Sequence, residues 1–131
     1  MIVFDLPLPP STNNLYLSAP GKGRVKAPSY RLWCNEAGLE AKIQKLGWDY
    51  QVLAAWQGII LDQKYRLTID VPEDMRGDVS NRIKAVEDLL VSLQLTPDDR
   101  KSHSVTINRV DGVPKGRCLV RISSARKAEA A

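Results

Sequence analysis

Histidine, phenylalanine and cysteine are nearly missing from this 131-residue chain, which holds one His, one Phe and two Cys. Cys34 and Cys118 stand far apart and without CxxC spacing, so a cysteine-built zinc site is excluded. The expectation is two reduced thiols, each at least partly buried. The lone histidine, His103, has no partner histidine or cysteine and is left out of any site. No apolar run reaches the roughly 20 residues that a membrane-spanning helix needs. The N-terminus also lacks a basic stretch followed by an apolar one, so the expectation is a soluble, cytoplasmic chain that does not meet a membrane. Acids are missing locally: none occurs from Leu6 to Asn35, while Lys22, Arg24, Lys26 and Arg31 all do.

The rest of the composition is that of an ordinary globular protein, with 44% hydrophobic and 26% charged residues. That is enough apolar material for a core, and the length predicts a single domain over residues 1–131. Residues 123–131 are expected to fray as a tail. Lys and Arg number 19 against 15 Asp and Glu, a net charge of +4, with a pI near 9.2. This balance fits a nucleic-acid partner only weakly, because many small domains are as basic. The distribution is more specific. The acids gather between Asp62 and Asp99, and beyond Asp99 the chain turns basic through Arg100, Lys101, Arg109, Lys115, Arg117 and Arg121. An acidic centre between basic arms suits a protein that holds both a metal and phosphates. An unevenly charged solvated surface accounts for the same residues without any site.

Hydrophobic periodicity lays out the elements. Met1 to Leu8 alternates, with Ile2, Phe4 and Leu6 on one face, and reads as a strand that prolines then stop. Pro10 to Pro28 is rich in Pro, Gly, Ser and Asn and reads as a long loop. Ser29 is a plausible N-cap for a helix from about Tyr30 to Leu46, with Leu32, Trp33, Leu39, Ile43 and Leu46 as its inward face and Gly47 past its end. Trp48 to Ile60 reads as a short helix or a loop packed on the core. Lys64 to Val71 alternates as a half-buried strand. Ile83, Val86, Leu89, Leu90 and Leu93 recur at helical spacing and predict a helix from about Asn81 to Leu93. Val105–Val110 and Arg117–Ile122 read as a closing hairpin, with Asp111-Gly112 as the turn. The expected fold is α+β: a small mixed sheet with two main helices.

The chemistry concentrates at the start of the second helix, in Arg76-Gly77-Asp78-Val79-Ser80-Asn81-Arg82-Ile83-Lys84, followed after that helix by Asp98-Asp99. Carboxylates are the usual donors for hard divalent cations, and a lysine beside one can hold a phosphate as a point charge. Together they point to metal-dependent phosphodiester chemistry. A helix from Asn81 to Leu90 carries the chain roughly 15 Å away. The stretch from Val91 to Asp98 can span about 26 Å when extended, so a return to Asp78 is possible without being required. Each residue has a plainer role as well. Asp78 can cap the helix, Lys84 can pair with Glu87 or Asp88 on the same helix face, and Asp98-Asp99 after Pro97 is a common turn composition. From Asn13 to Lys26, Tyr16 and the cations Lys22, Arg24 and Lys26 are candidate contacts to DNA, the alternative being an ordinary flexible surface loop.

Over roughly Leu6 to Ile122 the chain resembles the RusA family of Holliday junction resolvases, small endonucleases often carried by prophages. Pro9-Pro10-Ser11-Thr12-Asn13-Asn14-Leu15-Tyr16 is similar to the family's N-terminal signature. Asp78, Asn81 and Lys84 fall on its Asp-x-Asp-Asn-x-x-Lys motif, and Asp98-Asp99 lies at the matching distance. The resemblance implies an α+β homodimer that uses Mg²⁺, with Mn²⁺ as a substitute, to nick two strands of a four-way DNA junction symmetrically. Asp78 and Asp99 are then the metal-binding acids and Lys84 the contact to the scissile phosphate, with Asp98, Glu87 and Asp74 as further donors. Asn13, Asn14, Tyr16, Lys22, Arg24, Lys26, Arg76 and Asn81 are the expected DNA contacts. One position departs from the pattern, since the second Asp of the motif is Ser80 here. A neutral hydroxyl is a poorer ligand for a hard cation. The resemblance therefore carries two readings: a junction-cleaving enzyme, or a branched-DNA-binding protein whose cleavage is weak or lost. A third reading is an interaction module whose acids only cap and solvate a helix.

Overall fold

The computed structural model describes residues 1–10, 16–62, 64–77, 82–98 and 102–125. Six strands form in chain order: β1 (Ile2–Pro7), β2 (Tyr16–Ala19), β3 (Gly23–Lys26), β4 (Tyr65–Pro72), β5 (Ser102–Val110) and β6 (Arg117–Ser124). Three helices accompany them: α1 (Pro28–Leu46), α2 (Tyr50–Asp62) and α3 (Ile83–Ser92). The α+β class is as expected, with α2 as a third helix. β1, β6, β4 and β5 lie in that order in one mixed sheet, and β2 pairs with β3 in a separate two-stranded ribbon.

Alternation decides which face of the main sheet is buried. Ile2, Phe4 and Leu6 of β1, Tyr65, Leu67, Ile69 and Val71 of β4, and Cys118, Val120 and Ile122 of β6 all point into one core. Tyr30, Trp33, Ala37 and Ala41 of α1, Ile59 of α2, and Ala85, Val86, Leu89 and Leu90 of α3 close it from the other side. No helix among the described residues is long and apolar enough to cross a membrane. Both cysteines are free thiols, Cys34 half-buried and Cys118 buried.

β5 and β6 do not form the expected hairpin, because β4 lies between them. β4 pairs parallel with β5, from Tyr65↔Ser102 to Pro72↔Val110, and antiparallel with β6, from Tyr65↔Ser124 to Asp70↔Leu119. Burial matches this order: β4 is the most fully buried strand and lies at the centre, whereas Val105 and Ile107 of β5 are only partly buried and suit an edge. The link from Val110 to Arg117 must then pass over β4, about two strand spacings or 10 Å. A two-residue turn cannot do that. The link instead runs through Gly112 and Gly116, both at positive φ. α3 joins the parallel pair as a crossover, and Pro72 falls just beyond the last β4–β6 pair, where its missing donor costs nothing.

α1 departs from expectation at its start and on its face. Ala27 precedes it in an extended conformation without a side-chain cap, and Pro28 begins it. Proline at the first turn has no N–H to leave unpaired. Of the expected inward residues only Trp33 is buried; Leu32 is 58%, Leu39 61%, Ile43 58% and Leu46 87% exposed. Two faces of this helix have apolar periodicity, and the one with small residues faces in. Ala37, Gly38 and Ala41 allow close approach, and a Cβ at Gly38 would meet Leu93 at 3.8 Å and Leu89 at 3.9 Å. α1 also covers the outer edge of β1. Gln44 accepts from the Asp5 amide at 2.9 Å and donates to the Asp5 carbonyl at 2.7 Å. Trp33 Nε1 donates to the Pro7 carbonyl at 2.9 Å. These bonds satisfy backbone groups that would otherwise invite another strand.

The ambiguous stretch after Trp48 is helical. Asp49 Oδ1 accepts from the Val52 amide at 2.9 Å and caps α2. Trp56 Nε1 donates to the Leu95 carbonyl at 3.2 Å, tying α2 to the end of α3. There the Leu95 amide bonds back to the Leu90 carbonyl at 2.9 Å.

Candidate nucleic-acid interface

The segment read as a long loop contains the ribbon β2–β3, in register from Tyr16↔Lys26 to Ala19↔Gly23. Gly21 and Gly23 hold positive φ of 74° and 69°, and the Lys22 amide bonds to the Ala19 carbonyl at 3.1 Å to close the turn. Lys22, Arg24 and Lys26 are exposed along it. Its attachment is aromatic. Tyr16 meets Tyr30 edge-on at 5.7 Å, and Tyr30 stacks on Trp33 at 6.2 Å. The Arg24 guanidinium lies 5.1 Å from the Tyr16 ring centre, and the Lys26 ammonium 5.4 Å from that of Tyr30. A narrow ribbon bearing cations matches the dimensions of a DNA major groove.

Lys26, at the root of the ribbon, lines a hollow of about 320 Å³ with Tyr30, Cys34, Lys42 and Asp88. Burial pushes up the pKa of both the Tyr30 hydroxyl and the Cys34 thiol, so both stay neutral there. Asp88 forms an ion pair with Lys84 one turn earlier, at 3.1 Å. The structure thus brings together the ribbon and the helix face carrying Lys84. This is the pairing weighed from sequence as a plain surface interaction. Such exposed pairs are worth about 0–1 kcal/mol, so a phosphate can compete for the lysine.

A second hollow of about 760 Å³ opens off the end of β4, lined by Leu8, Pro72, Asp74, Met75, Arg76, Arg82, Lys115 and Gly116. Arg76 and Asp74 were expected in the site; Arg82 and Lys115 were missed. Arg82 occupies a variable position of the motif, and Lys115 sits in the turn over β4, so periodicity gave no signal for either. Arg82 Nη1 donates to the Pro9 carbonyl, while its Nε is buried without a partner. Burial lowers the Arg82 pKa from its ordinary value. Sequence reading also passed over Asp70, a buried acid within the apolar run of β4. It bonds Arg121 at 2.8 Å and Asn108 at 3.4 Å.

Asn13, Asn14, Asp78, Ser80, Asn81 and Asp99 lie outside the described residues. Gly77 stands off the far end of β4, where Arg109 Nη2 donates to its carbonyl at 2.8 Å. Asp98, which is exposed, leads toward Ser102 beside the start of β4. The two arms thus join opposite ends of a strand roughly 23 Å long at about 3.3 Å per residue. Among the described residues, no three Asp, Glu, His or Cys side chains gather as a metal-binding group; Asp74, Glu87 and Asp98 are not brought together as one. A scan against protein-family models and a search of the curated proteins matched nothing to this chain.

Proposed function

We propose that this protein is a Mg²⁺-dependent endonuclease that resolves four-way DNA junctions by symmetric phosphodiester hydrolysis, acting as a homodimer. The observation that carries the reading is the exposed cationic ribbon whose root shares a hollow with Asp88, the ion-pair partner of Lys84. The sequence supports it with the Asp78, Asn81, Lys84 and Asp99 pattern. Arg76, Arg82 and Lys115 extend the positive surface around the other hollow.

In this reading the ribbon and the basic hollow hold the phosphate backbone, and Lys84 leaves Asp88 to offset negative charge on the phosphate under attack. Asp78 and Asp99 would be the hard oxygen donors for Mg²⁺. Their described neighbours lie at opposite ends of β4, so a shared ion requires the two arms to fold back toward each other. When bound it would supply positive charge to the phosphoryl oxygens and acidify water. Asn81 orients a ligand. A two-fold dimer presents one site to each of the two equivalent strands of a junction.

Cleavage of a synthetic four-way junction with Mg²⁺ or Mn²⁺ tests this. Full activity in an Asp99→Asn variant rejects the assignment. The second reading, junction binding with weak or lost cleavage, is favoured by Ser80. Ser80→Asp separates the two: a large gain in cleavage means that the natural site is crippled.

A further inference from the structure

We infer that the outer face of α1 is where two copies of this chain pair, the helices antiparallel about a two-fold axis at Leu39. Leu32, Leu39, Ile43 and Leu46 all stand more than half exposed. They are not scattered. With Glu36 they follow the four-and-three spacing of a coiled-coil seam, on the side of α1 turned away from Trp33, Ala37 and Ala41. Single exposed leucines need no explanation, but four large apolar residues aligned over four turns, broken only by Glu36, mark an interface.

Charge identifies the occupant as a second copy. With the axis at Leu39, residues equidistant on either side of it face each other. Glu36 then meets Lys42 of the second copy, and Leu32 meets its Leu46. Both Glu36 and Lys42 are exposed, and neither has an ion pair among the described residues. A parallel pairing would instead set Glu36 against Glu36 in the seam. Beside Leu46, a hollow of about 490 Å³ lined by Trp48, Leu53, Lys42 and Lys45 receives Leu32 of the second copy. The neighbouring edge of β1 is disfavoured as a rival because Gln44 occupies its backbone groups at Asp5.

The inference deepens the dimer in the proposed function and rests on that reading only for its biological role. The test uses the full chain without DNA or metal, so its failure is distinguishable from a failure of cleavage. Sedimentation velocity should give twice 14.6 kDa, and Leu39→Glu should weaken the dimer by at least about tenfold, as for a central interface residue. Glu36→Lys should weaken it too, and adding Lys42→Glu should restore it. In a Cys34→Ser background, Leu39→Cys should cross-link to a dimer on mild oxidation, while Val3→Cys, on the opposite sheet face, should not. A monomer at the highest soluble concentration overturns the inference. So does a dimer that survives Leu39→Glu, or one that Lys42→Glu fails to rescue.

Discussion

The two sheets of this protein are held by different forces. In the four-stranded sheet the inward residues of β1, β4 and β6 are buried and share one core with all three helices. The β2–β3 ribbon adds only Tyr16 to that core, as a partly buried flank, and its remaining side chains are half or fully exposed. Hydrophobic burial, at roughly 25 cal/mol per Å², therefore fixes the main sheet. Two positive-φ glycines and an aromatic ladder shape the ribbon. The packed core and the exposed cations of the ribbon are separate parts of the chain, so each can be altered without the other.

The largest difference should appear on truncation. Ile69→Ala removes a fully buried side chain from the central strand and should cost about 2–5 kcal/mol in urea denaturation. Leu17→Ala, in the ribbon, should stay within about 0.5 kcal/mol. An equal loss for both would mean that the ribbon belongs to the core.

The two thiols should part next. Burial pushes the Cys118 thiol up to about 12 from 9.0, whereas Cys34 sits half-buried at the hollow under the ribbon. At pH 8 a thiol reagent should modify Cys34 alone in the native protein and reach Cys118 only after global unfolding. The raised value has a sign for stability. Both states hold the proton below the unfolded value of 9.0, and above it only the unfolded state releases it. Stability should therefore fall as pH rises from 9.0 toward about 12, and Cys118→Ala should flatten part of that fall.

How much of this was legible in the sequence follows the same division. β1, β4 and α3 were readable because their apolar residues recur with one unambiguous period. α1 was misread on its face because both of its sides are periodic, and size, not hydrophobicity, decided: Ala37, Gly38 and Ala41 fit against the core where Leu39 and Ile43 do not. The β5–β6 hairpin failed for another reason. Local turn chemistry at Asp111-Gly112 was visible, but the competition by which β4 takes the centre is a property of the whole sheet. The ribbon was hidden because its glycines, proline and lysines look like loop. Around the candidate site, the pairing of Lys84 with Asp88 was legible from helical spacing as a surface ion pair, while Arg82 and Lys115 converge only through the topology.

A test at the DNA level sharpens the division. Replacing Lys22, Arg24 and Lys26 by Ala should weaken binding to a four-way junction and reduce the log affinity against log salt slope by up to about 2.7, near 0.9 for each phosphate contact. The melting temperature should hardly move. An unchanged slope would remove the ribbon from the interface.

The smallest effects are the most diagnostic, because glycines in the two regions should respond with opposite signs. Gly21 holds φ +74° at the ribbon turn with open space around its Cα. An alanine there meets no neighbour but must adopt a left-handed conformation, at a cost of about 1 kcal/mol. That cost falls on a ribbon with little burial to offset it, so Gly21→Ala should lower junction affinity more than global stability. Gly38 lies inside α1 in helical conformation, and an added methyl would make ordinary contact with Leu89 and Leu93. Gly38→Ala should therefore raise stability by about 0.5–1 kcal/mol, through the lower conformational freedom of the unfolded chain. Loss of stability there would mean that α1 and α3 are packed too closely for the methyl. The small-residue explanation for which face of α1 turns inward would then rest on clearance alone.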